Sequence, residues 1–153
     1  MAENIRLTFT KLSGKYDKLV IQGKGRELAI DCPKQGIIPH DLIHYAIEKV
    51  MGLRGFVRLI TENRPEAELM HADYDALLGE ALVETLQAEM WSGAPPDDAA
   101  FLDMLAVTME ARKQKLKPLA PALIGELRAE IANLTEAWNK VTPYKTLVVE
   151  LPA

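Results

Sequence analysis

The sequence predicts an α+β fold: a small antiparallel sheet of three N-terminal strands plus a C-terminal strand, packed against about four helices. Three observations predict it. Short segments with period-two apolar spacing fill the first 32 residues, segments of helical period occupy roughly 37–141, and one more strand-like segment closes the chain at 144–151. A length of 153 residues is that of a single domain with a core of its own, so 1–153 is read as one domain.

In the first strand, Ile5 to Thr10, the residues Ile5, Leu7 and Phe9 fall on one face. Tyr16 to Gln22 carries Leu19-Val20-Ile21, and Glu27 to Asp31 carries Leu28 and Ile30. Ser13-Gly14 marks the first turn, and Gly23-Lys24-Gly25-Arg26 the second, where glycine supplies the positive φ of a tight hairpin. Cys32-Pro33-Lys34-Gln35-Gly36 breaks the pattern and leads to a helix over 39–51, with Pro39 in its first turn and Gly52 as its stop. Arg54 to Ile60 is ambiguous between a helical turn and a short connection.

After Pro65 a long amphipathic segment, about 66–91, repeats Met70, Tyr74, Leu77, Leu78, Ala81, Leu82 and Leu86 at threes and fours. Ser92-Gly93-Ala94-Pro95-Pro96 breaks it, and Asp97-Asp98 can cap the next helix, about 98–115, whose last turn carries Arg112, Lys113 and Lys115. Its burial is drawn in part from Phe101, Leu102, Leu105, and Val107 or Met109. Pro121 opens the last helix, and Leu123, Leu127, Ile131, Leu134, Trp138 and Val141 make its apolar stripe. Tyr144 to Leu151, with Leu147-Val148-Val149, is expected to rejoin the sheet.

Composition excludes several function classes. A net charge of −4 and a pI near 5.4 do not suit nucleic acid as a main partner, which requires a basic surface. Aromatic residues are 6% of the chain, too few for a base-stacking platform. The lone Cys32 forms no internal disulfide, the N-terminus shows no apolar leader, and no apolar run reaches the roughly 20 residues of a membrane span. A cytoplasmic protein without membrane contact is the expectation. There is no glycine-rich phosphate loop and no nucleophile elbow.

The chemically densest stretch is Pro39-His40-Asp41-Leu42-Ile43-His44-Tyr45-Ala46-Ile47-Glu48. His40 and His44, four apart, stack on one helical face and can grip one metal ion. On a helical wheel Leu42, Ile43, Ala46, Ile47 and Val50 form the apolar sector, the histidines its edge, and Asp41 and Glu48 the polar side beyond. His-Asp-Leu-Ile-His is similar to the His-Glu-x-x-His helix of zinc proteases, but Asp41 is one methylene short of the usual base. Glu48 is roughly 12 Å from His40 along a straight helix, too far to share an ion and better suited to orient His44. His71 or Asp75 is the candidate third ligand if the two helices pack together. His40, Asp41, His44 and Glu48 are therefore the candidate catalytic residues. Arg54 and Arg58 could hold a small anionic ligand, the guanidinium fork being suited to carboxylate or phosphate; solvated salt bridges are the plainer role. For Cys32, at the end of an apolar strand, a half-buried inert thiol is the plainer reading.

The run from Pro39 to Glu48, followed by Gly52-Leu53-Arg54-Gly55-Phe56, resembles a group of small bacterial proteins of uncharacterised activity with a Pro-His-Asp-Leu-x-His-aromatic-x-x-Glu motif. The likeness spans about residues 5–60 and implies a bacterial cytosolic protein, without implying a reaction. Two function classes follow. One is a binding or regulatory domain, self-associating, whose histidine helix lines a pocket. The other is a small metal-dependent or acid–base hydrolase working through His40, Asp41 and His44.

Overall fold

A computed structural model describes residues 4–62 and 74–152. The elements are β1 (Ile5–Thr10), β2 (Tyr16–Gly23), β3 (Arg26–Pro33), α1 (His40–Met51), α2 (Phe56–Ile60), α3 (Tyr74–Ser92), α4 (Asp98–Ala111), α5 (Pro121–Asn139) and β4 (Thr146–Leu151). The sheet runs β3-β2-β1-β4 with every neighbouring pair antiparallel, as the α+β reading requires.

The register aligns the apolar faces across all four strands. Phe9 pairs with Leu19 and Leu147, and Leu19 with Ile30; Leu7 pairs with Ile21 and Val149, and Ile21 with Leu28. Two apolar rows therefore cross the inner face, on which Ile5, Leu7, Phe9, Leu19 and Ile21 are wholly buried. The outer face carries Thr8 opposite Val20 and Val148. In the β2–β3 hairpin it is Lys24 (φ 52°) and Gly25 (φ 74°) that take left-handed backbone, the signature of a type I′ turn. Gly23 serves a different end, since a Cβ there would stand 3.0 Å from Ile5 Cγ1.

The helices lie on the inner face. Pro39 occupies the N-cap of α1 rather than its first turn, and its carbonyl accepts from Leu42 and Ile43. Gly52 ends α1 in left-handed conformation (φ 67°), as expected. The ambiguous stretch after Arg54 forms the short helix α2, so the described residues hold five helices rather than four. The segment expected over 66–91 is seen from Tyr74, and its start lies outside the described residues. Helix α4 stops at Ala111, short of the expected Lys115. Lys113 turns left-handed (φ 59°), and Gln114 N–H returns to the Met109 carbonyl at 3.0 Å, a closure usually made with glycine. Asp97 caps α4 by accepting from Ala99 and Ala100, and Pro121 opens α5. Val107 faces solvent while Met109 is buried, and Ile124, rather than Leu123, starts the buried stripe of α5.

One apolar cluster joins the sheet to α1, α3, α4 and α5. At its centre lies α1, whose residues Asp41 to Glu48 are all buried. It packs on α3, α5 and β4, and Tyr45 Oη donates to the Glu150 carbonyl of β4 at 3.1 Å. No helix among the described residues is long and apolar enough to cross a membrane.

Phe9 sits on the inner face, edge-on to Trp138 with ring centroids 6.4 Å apart. Phe9→Ala is expected to cost about 3–5 kcal/mol in chemical denaturation, through lost burial and the cavity left. Thr8→Ala, one residue along on the open face, should cost less than about 1 kcal/mol.

Candidate functional site

The helical spacing of His40 and His44 brings the two imidazoles together, their ring centroids 4.9 Å apart at 67°. The third group comes from α3. Glu80 Oε1 lies 3.5 Å from His44 Nε2, and one ligand atom from each of His40, His44 and Glu80 falls within 4.8 Å of the others. The edge of a tetrahedron of metal–ligand bonds about 2.1 Å long is roughly 3.4 Å, so the His44–Glu80 pair already has that spacing. Asp75, one of the two expected third ligands, is not in this group, and His71 lies outside the described residues.

Burial sets the electrostatics. His44 is packed against Phe56, with centroids 5.2 Å apart, and is almost entirely enclosed. Burial first, and the neighbouring His40 second, push its pKa down to about 3, so the ring is neutral at physiological pH, the form that ligates metals. Glu80 keeps its side chain 42% exposed and forms the open side of the group, although desolvation still raises its pKa. His40 Nδ1 and the Gln87 amide nitrogen stand in hydrogen-bond contact at 2.9 Å, one face of α3 thus supplying both Glu80 and Gln87.

Asp41 and Glu48 are buried, against the expectation that both face the polar side. The Asp41 carboxyl accepts from the Cys32 thiol at 3.6 Å. Desolvation raises the Asp41 pKa, opposed by His40 and by the thiol. Burial, with Asp41 second, pushes the Cys32 thiol up to about 12, so it is a protonated donor rather than a nucleophile.

Glu48 belongs to another structure. Its carboxylate accepts from Val57 N–H at 2.8 Å and Arg58 N–H at 3.0 Å, capping α2 from the side, and it does not orient His44. The neighbouring glycine makes room, because a Cβ on Gly55 would stand 3.2 Å from Glu48 Cγ and Cδ. Arg58 is committed as well, donating to the carbonyls of Glu48 (3.2 Å), Leu53 (2.6 Å) and Pro152 (2.8 Å). Arg54 pairs with Glu62, which also takes Lys24 at 2.9 Å. The two arginines proposed as anion ligands thus have structural partners.

Glu80 and Gln87 are the residues that sequence reasoning passed over. Their signal is their spacing: seven residues, two turns, puts them on one stripe of α3.

Desolvation, outweighing the bonds from Val57 and Arg58, pushes the Glu48 pKa from 4.5 up to about 7. The protonated form is thus the better folded. Its contribution is complete below pH 4.5 and is lost as pH rises to about 7, a change on the order of 3 kcal/mol. Glu48→Gln removes this titration. The stability of the variant relative to wild type should therefore climb by roughly 2–3 kcal/mol between pH 4.5 and 8, read from urea midpoints across that range. A constant difference would contradict the assignment.

No family model, curated protein sequence or solved structure matches this chain, and the site is read from its own chemistry.

Proposed function

We propose that this protein is a metal-binding domain that takes one divalent transition-metal ion, zinc by preference, on His40, His44 and Glu80. The observation that carries the reading is the convergence of two imidazoles and a carboxylate from two helices within 4.8 Å, one imidazole held neutral by burial. Nitrogen and carboxylate donors of this kind suit zinc and its neighbours in the first transition row, whereas calcium and magnesium prefer all-oxygen sets.

A second reading, hydrolysis, draws on the number of ligands. Three protein ligands leave a fourth position for water, the arrangement of catalytic rather than closed structural zinc sites. The open side at Glu80 is where a substrate would approach. Asp41, buried with a raised pKa beside His40, is the candidate acid or base.

Wild-type protein freed of metal by chelator should bind one equivalent of zinc in competition with a chromophoric chelator. Glu80→Gln is expected to weaken binding at least tenfold, because the amide is a poorer ligand than the carboxylate. Asp75→Asn, outside the group, should leave the affinity unchanged. Binding that is absent in wild type, or insensitive to Glu80→Gln, would exclude this site.

A further inference from the structure

The ring of His40 has two nitrogens, and the hydrogen bond at one decides which carries the proton. That bond is set from a distance. Ile38 presents a backbone carbonyl, which only accepts, so the end of the Gln35 amide lying 2.9 Å from it is the NH2. The other end of Gln35 is therefore the oxygen. The Gln87 end that meets this oxygen at 3.0 Å is in turn an NH2. The same Gln87 nitrogen stands 2.9 Å from His40 Nδ1, which must be an acceptor. A neutral His40 consequently carries its proton on Nε2. The order of donors along Ile38, Gln35, Gln87 and His40 starts from a main-chain atom and has one solution.

We propose that Gln35 and Gln87 are positioning residues that hold metal-free His40 as the Nε2–H tautomer; with Nδ1 engaged by Gln87, Nε2 is the nitrogen left to a metal ion, which enters there by reversing the relay. This rests on the metal-binding reading above. In the reversal the Nε2 lone pair bonds the ion, and the proton leaves Nε2 while Nδ1 gains one, with no net change in protonation. Gln87 turns its oxygen to Nδ1–H and Gln35 turns its NH2 to Gln87. The Gln35 oxygen then faces the Ile38 carbonyl and the bond there is lost. The backbone cannot share the adjustment easily, because the Gln35 carbonyl accepts from Trp91 Nε1 at 3.0 Å. Metal-binding histidines usually donate their second nitrogen to an acceptor, and partners of that kind change affinity by roughly 10–100-fold. Here the relay presents a donor instead. It holds the affinity down and ties metal loading to the loop before α1.

The test reads imidazole 15N shifts of selectively labelled, metal-free full-length protein at about pH 8, above the ordinary histidine range. His40 is expected to show an unprotonated Nδ1 and a protonated Nε2, and zinc should exchange the two patterns. Gln35→Leu frees Gln87 to turn and is expected to raise zinc affinity about tenfold. Gln87→Glu, which gives Nδ1–H a carboxylate, should raise it by at least as much and serves if the first variant folds poorly. A protonated Nδ1 in the metal-free protein would overturn the relay, as would zinc affinity unchanged or weaker in both variants. Zinc bound by neither wild type nor variants would overturn the metal reading and the coupling to it, while the metal-free spectrum still judges the tautomer separately.

Discussion

Residues Asp41 to Glu48 of α1 are buried without a break, a pattern foreign to a helix that shows one face to water. Apolar neighbours account for Leu42, Ile43, Ala46 and Ile47, which are wholly enclosed. They do not account for Asp41, His44 and Glu48, which share that enclosure and must each find a polar partner inside. They find them in three directions: Cys32 on β3 for Asp41, Glu80 on α3 for His44, and the backbone of α2 for Glu48. Those partners fix where β3, α2 and α3 stand around α1. Among the described residues no buried side-chain nitrogen or oxygen lacks a hydrogen bond.

The same enclosure sorts the polar groups chemically. Desolvation raises the carboxyls of Asp41, Glu48 and Glu80 and lowers His44, so each group is pushed toward its uncharged form. What differs is exposure and geometry. Glu48 meets two main-chain N–H groups and has no way out, which makes it a structural cap. Glu80 reaches the surface and stands beside two imidazoles, in a group whose spacing could hold a metal ion.

The sheet was legible in the sequence because its apolar residues alternate cleanly, and strands with one buried face leave that record. The α1 boundaries were legible too, from Pro39 and Gly52. The polar side drawn for α1 failed because a wheel has two sides, whereas this helix is covered on both from Asp41 to Glu48; Asp41 and Glu48 look exposed until β3 and α2 are in place. The pairing of His40 with His44 follows from local spacing. Glu80 could not be chosen over Asp75 from spacing alone, since the choice depends on how α3 slides along α1. Salt bridges were the plainer reading of Arg54 and Arg58, and Arg54 does pair with Glu62; the carbonyl partners of Arg58, on Glu48, Leu53 and Pro152, were not legible because they are set by the turn after Gly52 and by the return of β4.

That return has a consequence for how the protein is made. β1 is an inner strand, with β2 on one side and β4 on the other, and β4 arrives only at Thr146. During synthesis the hairpin partner of β1, β2, is available at once, while its second edge stays open until β4 has been made. An unpaired edge bearing Ile5, Leu7 and Phe9 is a template for strands of other molecules. Expression at high rate, or truncation before β4, should thus favour inclusion bodies over soluble product even where every helix can form.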